Sequence, residues 1–388
     1  MTQVLRRAWI ATVMWFALNA FGFASFVVRF PEIKSELGLS NSGLGLTLFV
    51  ASLGALGAIK LGGAWSAKHG SAPVMVWSAV VASLLFPVLG SMINLGVFAA
   101  ILFSLFLCIS IMDIAMNAHA VTIEQQSGKM IMGRLHAMWS VGGIVGGFGG
   151  GLFASQSLSL FVHSLIISGL MLVLVFGFRH MLLPASADIH EPVEEHHQEK
   201  TKRPRIFYLL GFIGLCAAIM EGSAADWGAV LVSDEYGATG FTASLPYIVF
   251  QTGMVIGRVN GDAVAAKFGR SKILFFSGLT AAVGLFSGLA IGGVGPVIFA
   301  WLCLGLGASV VIPMAFSLAG SIATNEYAGK IAPSQAVATV SGIAYAAFFI
   351  GPPVIGLLAD ATSLRYAMLI PATLALGVAF GSRVLKGK

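Results

Sequence analysis

Asp113 is a carboxylic acid inside an otherwise apolar run, ILFSLFLCISIMDIAMNAHAVTI, and Asn117 follows it by four residues. Residues four apart share a helix face. An ionisable group at membrane depth costs roughly 2.5–3.5 kcal/mol on insertion scales, so it faces a polar cavity and has a task there. For a carboxylate, that task is to take up and release a proton. Asn117 supplies an amide suited to hydroxyl groups, and Arg134, His136 and Trp139 open the next apolar run. A second pair of acids, Glu221 and Asp226, lies in the run LLGFIGLCAAIMEGSAADWGAVLV. Glu221 sits near its middle and is read as a second proton site. Asp226 lies nearer one end and is read as a gate residue able to pair with Arg29.

Trp139 and Trp227 offer flat apolar faces, while Asn19, His136 and Gln251 offer donors and acceptors. This is the mixture that binds a hydroxylated ring. Glu124 and Arg134 flank the ends of two successive runs, with Arg258 at comparable depth in another. Charges so placed form pairs that hold one face of a carrier closed and part when it opens.

These residues are positioned by apolar segments. The chain of 388 residues is 57% hydrophobic and 10% charged, which places it outside ordinary soluble composition. About 20 apolar residues in a helix cross about 30 Å of hydrocarbon. Twelve runs qualify: 8–29, 44–66, 73–93, 96–124, 133–155, 158–182, 206–232, 241–265, 272–292, 296–324, 335–359 and 364–384. The runs lack the short alternation of a membrane barrel, so an all-α bundle is expected. Six spans fall in 1–183 and six in 206–388, joined by a polar linker at 184–205.

Most of the 22 Lys and Arg residues gather on one side, including Arg6, Lys68, Arg179, Arg205, Lys267 and Arg383, against Arg29, Lys34 and Arg365 on the other. The positive-inside rule then puts both termini in the cytoplasm of a cell that carries the chain in its inner or plasma membrane. The net charge of +6 follows from this bias and implies no nucleic-acid partner. Cys108, Cys216 and Cys303 are too widely spaced for a metal motif. His190, His196 and His197 are mixed with Glu and Lys in the linker and read as a solvated connector. There is no phosphate-binding lysine loop, dinucleotide fingerprint or nucleophile elbow. No enzyme activity, cofactor or metal is expected, and transport must draw on an ion gradient or on the solute's own gradient.

A repeat fixes the architecture. Ala67-Lys68-His69-Gly70 returns as Ala266-Lys267-Phe268-Gly269, and the same offset of 199 carries Val141, Gly143 and Ile144 onto Val340, Gly342 and Ile343. Parallel repeats of six spans place solute between the halves near mid-membrane. These loops resemble the signature of the major facilitator superfamily between its second and third spans. They depart from it where Ala67 and Ala266 replace the acidic residue; Asp262, beside Arg258, is placed to supply the missing charge in the second copy. Arg29-Phe30-Pro31-Glu32, then Glu221 through Trp227, then Gly257-Arg258 with Gly261-Asp262, resemble the branch containing the YbjJ and MosC membrane proteins. More distantly, Asp113, Ala115 and Asn117 are similar to the fourth span of fucose permease type proton/sugar symporters. In that family His136 and Trp139 stand where a Gln and an Asn are found, and Asn19 where the first span has an Asp.

The resemblance implies a monomeric, proton-coupled carrier of a small sugar- or polyol-like solute working by alternating access. Two other readings compete with it: proton-driven efflux of amphipathic compounds, and a membrane sensor that does not transport. The fifth span carries two glycine registers, Gly142, Gly146, Gly150 and Gly143, Gly147, Gly151, read as a smooth surface on which one half slides over the other.

Overall fold

Apolar runs of this length satisfy every backbone group by forming helices, and helices are what the structure contains. In this computed structural model, residues 2–91, 93–189, 203–328 and 330–385 are described, the side chain of Asp262 excepted, and no strand occurs among them. The α-helices in chain order are α1 (Gln3–Val27), α2 (Phe30–Glu36), α3 (Asn41–His69), α4 (Ser71–Gly90), α5 (Leu95–Ser127), α6 (Met132–Ser155), α7 (Leu160–Phe178), α8 (Arg205–Tyr236), α9 (Gly240–Phe268), α10 (Arg270–Ile291), α11 (Val294–Ala308), α12 (Val311–Glu326), α13 (Pro333–Tyr345), α14 (Ala347–Ala361), α15 (Leu364–Ala367) and α16 (Leu369–Gly381). Eleven helical segments among the described residues are long and apolar enough to cross a membrane. The expected eighth span is the 29-residue α9, whose Gln251, Arg258 and Asn260 dilute its apolar character and leave it outside those eleven.

Two compact units emerge. The first comprises Met1–Leu39, Thr47–His196 and Thr239–Ser244; the second comprises Ser40–Leu46, His197–Ala238 and Leu245–Lys388. The linker from His190 to Lys202, with its three histidines, lies outside the described residues. Its start is described: a short 3-10 turn at Ala185–Ala187, followed by Asp188, whose Oδ1 accepts a hydrogen bond from Ser71 N at 3.1 Å.

In the first unit α1 lies along α6. Gly142, Gly146 and Gly150 face the backbone carbonyls of Ala17, Phe21 and Ser25, where any Cβ would collide. That register locks two helices of one unit together, whereas in the other register Gly151 meets Ser244 and Phe241 of α9. Close backbone approach through small residues is how membrane helices gain packing without a hydrophobic drive. In the second unit, Gly278 meets Ala375 and Ala379 of α16, and Gly305 meets Phe250 of α9, in the same manner.

Helix ends follow local chemistry. Asn94 Oδ1 accepts from Val97 N at 2.9 Å and caps α5, and Ser159 Oγ accepts from Val162 N at 3.3 Å to cap α7. Gly70 and Gly269 hold φ of 80° and 86° at the matching α3–α4 and α9–α10 turns, a region that L side chains avoid.

Three expected spans are each divided. The run 296–324 breaks between α11 and α12, where Pro313 has no N–H for the carbonyl of Ser309. The run 335–359 breaks at Ala346, ahead of Pro352 and Pro353, which have no N–H to continue the helical ladder. The run 364–384 breaks at Met368, ahead of Pro371.

Candidate functional site

The first unit builds a polar seam where α1, α5 and α6 meet. Asn19, 5% exposed, donates from Nδ2 to Ile109 O of α5 at 3.0 Å. Its Oδ1 accepts from Trp139 Nε1 of α6 at 3.0 Å. The side chain thus pins three helices, and both amide hydrogen-bonding ends are engaged. The indole N–H of Trp139 is thereby committed to Asn19. His136 lies one turn before it, half-buried, edge-on to Phe16 at 5.4 Å between ring centres.

Asp113 and Asn117 share a face of α5, as four-residue spacing requires. Asn117 Nδ2 donates to Asp113 O at 2.8 Å and to Asp113 Oδ1 at 3.3 Å. Both side chains are half-buried, and Asp113 forms no ion pair among the described residues. A carboxylate with one neutral donor and no cation can change protonation without stranding a partner charge.

The gate residues read from the sequence fall into different arrangements. Arg29, 3% exposed, bonds Glu32, the carbonyl of Leu158 at 2.7 Å and His163 Nδ1 at 3.3 Å, all in the first unit. His163 is fully buried between the rings of Phe26 and Phe153. Glu124 Oε1 accepts from Ile131 N at 2.6 Å and Met132 N at 3.1 Å, which caps the start of α6. Arg134 is exposed on the first turn of that helix. The side chain of Asp262 lies outside the described residues.

In the second unit Glu221 of α8 pairs with Arg258 of α9 at 3.8 Å. Asp226, a turn and a half further along α8, makes no hydrogen bond or ion pair among the described residues. Trp227 is wholly buried with its indole N–H unpartnered. Gln251, 2% exposed, donates to Tyr247 Oη at 3.1 Å and keeps its own Oε1 unpartnered.

Sequence reasoning missed Tyr247, although it stands one helical turn before Gln251. It also missed His119, whose Nδ1 lies 2.7 Å from Ser71 Oγ and whose Nε2 accepts from Leu183 N at 3.3 Å. The arrangement places the proton on Nδ1 and ties α5 to the α3–α4 turn. A polar residue two positions beyond Asn117 was the available signal.

Eleven helical segments among the described residues, long and apolar enough to cross a bilayer, define a multi-pass membrane protein. The family model described as Major Facilitator Superfamily matches residues 13–334 and again 210–386, and the chain belongs to that superfamily. An uncharacterized MFS-type transporter of Yersinia pestis is 32% identical over 380 residues, covering 97% of this chain and 95% of the relative. Membrane protein MosC of Rhizobium meliloti is 28% identical over 373 residues, covering 92% and 85%. Among solved structures, a variant of the nucleoside transporter NupG superposes with a TM-score of 0.77 at 11% identity, over 97% of this chain and 99% of that one. A variant of the E. coli fucose:proton symporter FucP gives 0.61 at 16% identity, over 98% of each. Likenesses at such identities speak to fold alone.

Proposed function

We propose that this chain is a proton-coupled symporter of a small polar solute of the sugar or polyol kind, working by alternating access as a monomer in the inner or plasma membrane with both termini cytoplasmic. The observation that carries the reading is Asp113, a membrane-depth carboxylate whose hydrogen-bond partner is the neutral amide of Asn117. Protonation there removes a charge that opposes a change of access. Trp139 and His136 supply the apolar face and the polar edge that a hydroxylated ring requires.

The test uses proteoliposomes with an entrapped pH-sensitive dye, screened against sugars, polyols and nucleosides. Once a solute is found, Asp113→Asn should abolish uphill uptake and retain downhill counterflow. Uphill uptake at the wild-type rate in that variant would remove Asp113 from the mechanism.

A further inference from the structure

The two acids of α8 sit in opposite electrostatic settings. Glu221 has Arg258 at 3.8 Å, so the ionised form of Glu221 has a counter-charge beside it. Among the described residues Asp226 has no cation in ion-pair range. Five residues along a helix turn it by about 140°, onto the face that meets α14. There it lines a narrow cavity of about 10 Å³ with Gly222 and Ser223 of its own helix and Phe348, Gly351, Pro352 and Ile355 of α14. That volume holds roughly one water molecule and no ring-sized solute.

Among the described residues, the groups around it offer no counter-charge. Ser223 Oγ is committed to Ile219 O at 2.5 Å. Helices α11, α13 and α16, which pack on α8, contain no Asp, Glu, His, Lys or Arg. The acidic residue of α14, Asp360, accepts hydrogen bonds from Asn41 N and Ser42 N at 2.9 Å each, more than two turns beyond Gly351. Helix α12 carries Glu326 at its far end, and α15 carries Arg365, which donates to Leu289 O at 2.7 Å and Ala290 O at 2.8 Å. From α9 the group that faces Asp226 is Tyr247, itself bonded to Gln251.

We propose that Asp226, and not Glu221, is the proton-exchanging acid of the second unit. The proton passes from a water in the α8–α14 cavity to a carboxylate oxygen of Asp226 and returns by the same route, while Glu221 and Arg258 remain a fixed pair. This replaces both roles read from the sequence, Glu221 as proton site and Asp226 as gate residue. It rests on the proposed proton coupling, but its test reads protonation directly and needs no solute.

Infrared difference spectra between acidic and alkaline pH, taken on the full chain in lipid nanodiscs, report the carbonyl stretch of protonated carboxyl groups. Asp226→Asn should delete one such band, Glu221→Gln should leave every band in place, and Asp113→Asn should delete a different one. A full set of bands in Asp226→Asn, or a lost band in Glu221→Gln, overturns the assignment. If Asp226→Asn does not purify as a monodisperse protein, Asp226→Glu replaces it: a displaced band supports the assignment and an unmoved spectrum refutes it. Persistence of all bands in Asp113→Asn counts against the symport mechanism separately and leaves the Asp226 result standing.

Discussion

Asn19 shows what a single amide does at membrane depth. It joins Ile109 of α5 and Trp139 of α6 to its own helix through two hydrogen bonds, each worth about 0.6 kcal/mol on average in a membrane bundle and up to about 1.7. Asn19→Ala should therefore lower stability by about 1–2 kcal/mol, read as a reduced melting temperature of the purified protein. An unchanged melting temperature would mean that the seam is held by packing alone. The sequence exposed Asp113 and Asn117 readily, since a charge in an apolar run and a four-residue spacing are local signals. It was silent on what Asn19 and Arg29 bond across the bundle, because Ile109 and Leu158 stand 90 and 129 residues away in the chain, and on Glu124, whose bond crosses the turn between two helices.

At the scale of elements, the α1–α6 contact depends on the absence of side chains. A Cβ at Gly146 would run into the carbonyl of Phe21, whereas one at Gly149 would enter open space. Gly146→Val should cost about 1–3 kcal/mol through overpacking, and Gly149→Ala should cost little; thermal unfolding of the two variants side by side measures the contrast. Equal losses in both would show that helix propensity, not the contact, sets the glycine pattern. Span positions were legible because apolar length is a composition property. The breaks at Ser309, Ala346 and Met368 were not placed, although Pro313, Pro352 and Pro371 stood in plain view. A proline marks a missing hydrogen bond, but neighbouring helices decide whether the helix continues through it, as α9 does at Pro246, or divides.

Across the whole molecule, the most legible feature was the repeat. Gly70 and Gly269 adopt nearly the same left-handed φ at equivalent turns, so a short sequence match reported a shared backbone conformation. The distribution of Lys and Arg predicts a cytoplasmic C-terminus, and a reporter fused after Lys388 tests it. Green fluorescent protein there should fluoresce and alkaline phosphatase should be inactive; active phosphatase would reverse the orientation.

The glycine seam also determines what the polar seam beside it is able to do. Where main chain lies on main chain at Gly142, Gly146 and Gly150, no rotamer exists to slip or swap, and the pair of helices has a single relative setting. Asn19 on one and Trp139 on the other are thereby held at one spacing, like type set in a frame. Under the proposed function, a solute meeting this seam would meet fixed geometry, and accommodation of solutes of different size would fall to helices joined through pliable side chains.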